Sequence, residues 1–361
     1  MSAPATSAIA YGVGAAACLI LTPVAIAVAR RTGFYDRPRE YRKHKAATPF
    51  LGGAAVIVAF LVAALVTKSV TGDLIVPVVG ALVMWAIGTV DDGRSVAPKW
   101  RVLAAIAAAI ALYVAGLGWD TALGPWVNVP LTALWIVGMV NAFNLMDNLD
   151  GACSTVAAVA AAGVGVLAAV RGQTAIAGLA FALCGACSGF LPWNLTGPAR
   201  IFLGDGGSMP LGFLVAALAM AVSRHDSNGN AGILVAALLA GLPILDVALV
   251  SLSRTRRGVT LVTGGRDHLT HRILLALGSP WRVAGVLVAA QGTLCAAGIL
   301  GYELGGGAVA WFALVAFLAG VGAIGVLDTE RWRPAGIARA SIADELALPV
   351  GAAARVDEPA G

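Results

Sequence analysis

Charged side chains are scarce in this chain of 361 residues. They make up 12% of the sequence, whereas hydrophobic residues make up 59%. A water-soluble globule of this length needs far more polar side chains to cover its surface. The composition therefore excludes an ordinary soluble domain, and we expect the chain to lie in a membrane.

Cysteine and histidine are also few, at five and four residues. The cysteines lie in or beside apolar segments, and free cysteine is a common small buried hydrophobe, so no redox or zinc role is predicted for Cys184 and Cys187. His268 and His271 lie three residues apart between arginines. Zinc usually takes three or four N or S ligands, so contact or proton exchange with phosphate is favoured for this pair.

Long apolar segments recur along almost the whole sequence. We count about 11, each able to cross the roughly 30 Å hydrocarbon core as a helix. The pattern predicts an all-α polytopic transmembrane helical bundle at residues 1–327 and a disordered cytoplasmic tail at residues 328–361. The predicted spans are residues 8–29, 51–67, 74–90, 102–117, 127–143, 152–170, 174–192, 208–222, 231–251, 283–300 and 307–327.

The basic residues collect in alternate loops. Of the 24 Lys and Arg residues, only Lys68, Arg171 and Arg224 fall in the other set of loops. Because basic residues accumulate in short cytoplasmic loops, this split predicts an N-terminus outside and a C-terminus in the cytoplasm. The net charge of +5 then describes a cytoplasmic face suited to membrane lipids and phosphorylated ligands, and no nucleic-acid partner is expected.

Acidic and amide residues lie at the predicted inner ends of helices. Asp91 and Asp92 are adjacent, which fits either a solvated helix cap or a pair balanced by a divalent metal or a substrate proton. Asn144, Asp147 and Asp150 are spaced three apart, so on a helix they share one face. They are either turn and cap residues or ligands for a sugar, a base or a metal.

Glycine accompanies two other inner segments. Asp205 lies within the glycine-rich run 204–207, where a tight backbone can cradle phosphate and the carboxylate offers a hard oxygen to Mg²⁺. Gly52 and Gly53 follow a basic loop. That loop is either a positive-inside anchor or, with the backbone N–H groups of the two glycines, an anion site.

Taken in order, these segments resemble the polyprenyl-phosphate N-acetylhexosamine-1-phosphate transferase family. The resemblance covers roughly residues 30–280 and is nearer to the bacterial UDP-GlcNAc:undecaprenyl-phosphate GlcNAc-1-phosphate transferases than to phospho-MurNAc-pentapeptide transferase. It implies an enzyme of the bacterial inner membrane with its active site facing the cytoplasm, and it leaves room for a homodimer. With Mg²⁺ or Mn²⁺, such an enzyme moves an N-acetylhexosamine 1-phosphate from a UDP-sugar to polyprenyl phosphate and releases UMP.

The resemblance also implies roles for individual residues. Asp91 is expected to deprotonate the lipid phosphate, Asp205 to bind the metal, and Asp92 to act in catalysis and as a further metal ligand. His268 and His271 match the histidine motif and are expected to be catalytic. The residues expected to bind the substrates are Lys45, Thr48, Lys99, Asn144, Asp147, Asp150, Phe202 and Arg266.

The chain departs from the family pattern at two positions. Asn148 stands where the family often has the first glycine of Asp-Gly-Leu-Asp-Gly, and Thr270 stands where it often has the second histidine of His-x-His-His. The first change is expected to alter contacts with the sugar or the base. The second weakens any role that needs consecutive histidines.

Other functions stay open at this point. Phospho-MurNAc-pentapeptide transfer is the alternative within the family, and a non-catalytic scaffold of the same fold is a third reading. A transporter belongs to another class and would use Asp246, which lies in an apolar segment beside Pro243. The transporter is disfavoured because nearly all other polar groups lie at helix ends. A one-step transfer and a two-step route through an aspartyl phosphate both fit the sequence.

Overall fold

The computed structural model describes residues 3–36, 48–224, 231–261 and 265–332. Helices account for almost all of them, which confirms the predicted all-α membrane fold. The strands in these residues are one short antiparallel pair, β1 (Tyr35–Asp36) and β2 (Thr48–Pro49). Of the predicted tail, residues from 333 onward lie outside the described ranges.

The helices follow the apolar segments of the sequence closely. They are α1 (Ala3–Thr32), α2 (Gly52–Val66), α3 (Ile75–Gly93), α4 (Pro98–Val114), α5 (Pro125–Met146), α6 (Ala152–Val170), α7 (Thr174–Asn194), α8 (Asp205–Ser223), α9 (Ala231–Leu239), α10 (Gly241–Arg257), α11 (Leu269–Leu277), α12 (Pro280–Leu304) and α13 (Gly306–Leu327).

Fewer helices have the length of a full span than the sequence predicted. Eight of those described are long and apolar enough to cross a bilayer, and α9 with α10 adds a ninth if the bent pair is one span. Helices α2 and α4 are shorter, at 15 and 17 residues. Every predicted span coincides with a helix. The described residues, however, form eight or nine helices of full crossing length, fewer than the predicted number of about 11.

The predicted span at residues 231–251 is not one straight helix. The helix is interrupted at Ala240, and the axes of α9 and α10 meet at an angle of 81°. In an apolar environment the backbone groups freed by a break need partners. Gln291 of α12 supplies them: its Oε1 accepts from Leu242 N at 3.0 Å, and its Nε2 donates to Leu239 O at 2.9 Å. Pro243 lies in the first turn of α10, where its missing N–H costs little.

Helix α8 is the centre of the bundle. Its whole apolar stretch is buried, and it packs against α3, α5, α6, α2 and α9. A helix that is apolar on all sides belongs in such a position. By contrast, only 6% of the apolar stretch of α13 is buried inside the protein, which fits a lipid-facing helix. Helix α8 begins at Asp205, so its N-terminus carries a carboxylate. This N-terminus lies where several other helices end.

Candidate functional site

Asp92 caps the N-terminus of α8 from the end of α3. Its Oδ1 accepts from Asp205 N and its Oδ2 from Gly206 N, both at 2.9 Å. The first N–H groups of a helix have no partner within the helix, and the helix dipole favours a negative charge there. Asp92 therefore fixes the position from which the Asp205 side chain projects.

Glycines allow α3 and α8 to meet this closely. A Cβ at Gly88 would lie 2.2 Å from the carbonyl oxygen of Asp205, and a Cβ at Gly204 would lie 2.5 Å from Asp92 Oδ2. Gly204 also has a φ of +75°, which L side chains rarely adopt. The glycine-rich run predicted to cradle phosphate thus has a packing role as well.

Arg101 joins the two carboxylates expected to take part in catalysis. Its Nη1 donates to Asp91 Oδ2 at 2.5 Å and to Asp205 Oδ2 at 3.0 Å. Asn144 Nδ2 donates to Asp205 Oδ1 at 2.7 Å, and Val96 N donates to Asp91 Oδ1 at 2.6 Å. Neighbouring carboxylates repel each other unless a cation lies between them, and here the guanidinium is that cation.

The sequence predicted Lys99 as a basic residue near the diphosphate and did not single out Arg101. Lys99 is exposed, and its Nζ lies 5.5 Å from the centre of the Trp100 ring. Residues two apart on a helix point about 200° apart, so α4 can turn only one of Lys99 and Arg101 towards the carboxylates. The sequence showed two basic residues in this turn but not which of them faces α3.

Asp147 belongs to the same carboxylate group. Burial raises its pKa well above the ordinary value, and the negative charges of Asp205, Asp92 and Asp150 raise it further. The loop that carries Asp147 and Asp150 is fixed by Asn194, whose side chain accepts from Gly151 N at 2.6 Å and donates to Ile201 O at 2.9 Å. The sequence reading had not named Asn194 as a site residue.

His268 is held by Asp246. The two side chains meet through His268 Nδ1 and Asp246 Oδ2 at 2.8 Å, and Leu269 N donates to Asp246 Oδ1 at 2.6 Å. Both side chains are buried. Because Nδ1 faces Asp246, Nε2 is the ring nitrogen that is left to act on a ligand. Asp246 thus anchors the histidine segment to α10.

His271 lies one turn further along, in α11. Its pKa is lowered to about 4, first by burial and then by the positive charges of His268 and Arg266. The imidazole is therefore neutral at neutral pH. Arg266, expected to bind substrate, is exposed beside the histidines.

Several arginines of the basic loop have protein partners. Arg254 and Arg257 pair with Asp267 at 2.9 and 2.6 Å and hold its pKa well below the ordinary range, against the effect of burial. Arg272 is fully buried; it donates to Asp267 O at 2.8 Å and lies 3.5 Å from Asp328. These arginines fix the histidine segment against the ends of α10 and α13.

The N-terminus of α2 packs against the segment before α8. Gly52 N donates to Phe202 O at 3.1 Å, and Gly53 N donates to Leu203 O at 2.9 Å. Phe202 N in turn donates to Pro49 O at 2.8 Å. The alternative that the two glycine N–H groups bind an anion is therefore not supported, since both donate to carbonyl oxygens.

Two further predicted binding residues, Thr48 and Phe202, lie near this junction. Thr48 is paired with Asp36 in the β1–β2 ribbon. The Phe202 ring is 6.1 Å from that of Phe50, at an interplanar angle of 54°. Lys45 lies outside the described residues, so its place relative to the site stays a prediction.

The oxygen donors around Arg101 suit a magnesium ion. Asp91 and Asp205 offer hard carboxylate oxygen atoms, as Mg²⁺ prefers, and Mg²⁺ commonly takes one or two carboxylates together with substrate phosphates. In the described part of the chain no group of three or more His, Cys, Asp or Glu side chains forms a metal cluster. The residues therefore fit a metal shared with a phosphate ligand, not a closed protein cage.

A family model and several known proteins match this chain. The family model for glycosyl transferase family 4 matches residues 74–223, which include α3, α5, α8 and their carboxylates. A Streptomyces coelicolor protein described only as a glycosyltransferase is 35% identical over 96% of this chain and 83% of its own.

Two other relatives carry more specific names. The decaprenyl-phosphate N-acetylglucosaminephosphotransferase of Mycolicibacterium smegmatis is 31% identical over 72% of this chain and 73% of its own. The undecaprenyl-phosphate alpha-N-acetylglucosaminyl 1-phosphate transferase of Escherichia coli K12 is 28% identical over 85% of this chain and 87% of its own. With relatives above 30% identity along most of its length, the chain belongs to glycosyl transferase family 4.

Proposed function

We propose that this protein transfers N-acetylglucosamine 1-phosphate from UDP-GlcNAc to a polyprenyl phosphate, releases UMP, and so starts a lipid-linked cell-envelope glycan. The observation that carries the proposal is the convergence of Asp91 and Asp205 on Arg101 at the N-terminus of α8, where Asn144 also donates to Asp205. The names of the relatives from E. coli and M. smegmatis support the same donor group and acceptor class.

The chemical problem is to bring one anion against another. The lipid phosphate must approach a diphosphate, so catalysis depends on neutralising charge and on aligning the attack. Arg101 and His268 are the groups we assign to this task, with Lys45, Lys99 and Arg266 as further basic residues near the phosphates. A bound Mg²⁺ or Mn²⁺ would neutralise part of the diphosphate charge, and Asp205 is the residue that would hold it.

In the proposed step Asp91 accepts the proton of the lipid phosphate. The freed phosphate oxygen forms a bond to the sugar-bearing phosphorus, the bond from that phosphorus to the UMP oxygen breaks, and UMP leaves. That Asp92 is also a metal ligand stays a prediction; both its oxygens accept backbone N–H groups, which supports a positioning role for Asp92. A labelled phospho-enzyme formed without lipid would favour the two-step route instead.

We further propose that the site faces the cytoplasm of a bacterial cell, from the inner membrane. The basic end of the bundle carries the carboxylates and histidines, and basic loops mark the cytoplasmic side. In this orientation α1 starts outside and α13 ends in the cytoplasm. A homodimer is compatible with this arrangement, and no nucleic-acid partner is proposed.

The test is transfer of label from UDP-[¹⁴C]GlcNAc to organic-extractable lipid by the purified protein with undecaprenyl phosphate. We expect product only with Mg²⁺ or Mn²⁺, and a loss of at least 100-fold in Asp205→Asn because the metal and Arg101 lose a charged partner. Asp120→Asn is the matched control, since Asp120 is exposed and paired only weakly, at 3.6 Å, with Arg224.

Other results of this assay would contradict specific parts of the proposal. Product with UDP-MurNAc-pentapeptide but not with UDP-GlcNAc would establish the other branch of the family. If no UDP-sugar yields UMP, the proposed function is wrong. Equal activity in Asp205→Asn and the wild type would remove Asp205 from the mechanism.

A further inference from the structure

The two side chains at which the chain departs from the family pattern touch each other. Thr270 Oγ1 donates a hydrogen bond to Asn148 Oδ1. Thr270 is fully buried, and the Asn148 amide nitrogen donates to Leu145 O at 2.6 Å. Both polar atoms of the Asn148 side chain, Oδ1 and Nδ2, are thus hydrogen-bonded.

This hydrogen bond joins the two halves of the site. Asn148 lies between Asp147 and Asp150 in the loop after α5, and Thr270 lies between His268 and His271 at the start of α11. The Asp246 contact fixes the histidine segment to α10, but it does not reach the loop after α5. The Asn148–Thr270 contact does, so a change at either residue shifts carboxylates relative to histidines.

The two side chains depend on each other. Thr270 is fully buried and its hydroxyl donates to Asn148 Oδ1, so a glycine at position 148 removes that acceptor. An imidazole at position 270 is larger than the threonine side chain and would need room that the neighbouring Asn148 side chain takes up. A change at one position alone either overpacks the contact or leaves a cavity and an unpaired buried hydroxyl.

We infer that Asn148 and Thr270 act as one positioning unit that sets the distance between the carboxylate loop and the histidine segment and thereby determines how tightly the UDP-sugar is held. The inference rests on the proposed function. It assigns to the pair a role in specificity for the nucleotide sugar without direct participation in the chemistry. Its main consequence is that the two residues can be exchanged together but not separately.

The experiment is a double-mutant cycle on the full-length protein. UMP release is measured with UDP-GlcNAc for the wild type, Asn148→Gly, Thr270→His and the double variant. We expect each single change to lower kcat/KM about tenfold, mainly through a higher KM, which corresponds to about 1.4 kcal/mol. The double variant should recover to within about threefold of the wild type.

A second set of variants isolates the hydroxyl group. Thr270→Val removes the donor at nearly constant volume and should raise the KM, whereas Thr270→Ser keeps the donor and should recover much of that loss. Thr293→Val is the matched control, because Thr293 is exposed on α12 and its hydroxyl bonds only to its own helix. A purely structural role would lower the unfolding temperature without changing the KM, and that result would overturn the inference.

The outcomes separate this inference from the proposed function. A double variant that loses about 100-fold, the product of the single losses, would show that the two residues act independently and would overturn the inference. If the wild type turns over no UDP-sugar, the proposed function fails. The cycle is then measured by the Kd of UDP-GlcNAc, where recovery in the double variant supports the inference and additive losses refute it.

Discussion

At the scale of single residues, the structure changes the assignment of positive charge in the site. Arg101 contacts both Asp91 and Asp205, whereas Lys99, named from the sequence, lies over Trp100. The sequence could place a cation in the first turn of α4, but the rotation of α4 about its axis decides which side chain reaches the carboxylates. That rotation depends on how α4 packs against α3 and α5.

Arg101→Gln should therefore lower kcat/KM about 100-fold, since two carboxylates lose the cation between them. Arg101→Lys keeps the charge but lacks the fork that reaches two partners, so we expect a smaller loss. Lys99→Gln serves as the comparison and should lose much less than Arg101→Gln, because the Lys99 ammonium lies over Trp100. UMP release measured for all three variants checks this, and a larger effect in Lys99→Gln would restore the sequence-based assignment.

Asp246→Asn tests whether Asp246 orients the His268 ring. The amide keeps the shape but no longer fixes a proton on Nδ1, so we expect kcat to fall about 10- to 100-fold with little change in KM. The readout is the pH profile of kcat, which should shift if Asp246 tunes His268. An unchanged profile with normal activity would remove Asp246 from the mechanism.

At the scale of helices, the break between α9 and α10 shows what an apolar pattern leaves out. The sequence of residues 231–251 fits one span, yet the two helices meet at 81°. Gln291, distant in sequence, partners the backbone groups at the break. A local pattern cannot show such a partner, and the bend is what turns Asp246 towards His268.

Gln291→Leu should destabilise the protein by about 1–3 kcal/mol, because it leaves an N–H and a carbonyl without partners in apolar surroundings. The measurement is the thermal unfolding midpoint in detergent, which should fall by several degrees. Thr293→Val, on the same helix but exposed, is the control and should leave the midpoint unchanged. An unaltered midpoint in Gln291→Leu would mean that the break does not depend on this side chain.

At the scale of the whole molecule, the cluster around the histidine segment makes stability depend on pH. His271 has a pKa lowered to about 4 in the folded protein, below its ordinary value of about 6.5. The unfolded chain therefore binds a proton more readily than the folded one. The stability contributed by the neutral imidazole is complete above about pH 6.5 and is lost as the pH falls towards 4.

We expect the unfolding temperature to fall between about pH 6.5 and 4 and the slope to be smaller in His271→Gln, which cannot be protonated. Asp267 adds a further loss at lower pH, because its pKa is also depressed in the folded state and its ion pairs disappear on protonation. Unfolding temperatures measured across this range check both effects. Identical slopes in the wild type and His271→Gln would show that His271 does not carry the dependence.

Composition and hydrophobic pattern by themselves determined that this is an all-α membrane protein, because a chain with so few polar groups can satisfy its backbone in lipid only as helices. The motifs also predicted which segments contribute to the candidate site, since polar side chains are costly in a membrane and collect at helix ends. Only the tertiary structure decided that Arg101 joins the carboxylates, that Asp92 caps α8, that Asp246 orients His268 and that Asn148 meets Thr270. Each of these contacts joins residues whose mutual position depends on helix rotation, on a bend or on a loop path, and these follow from packing between distant segments rather than from local pattern.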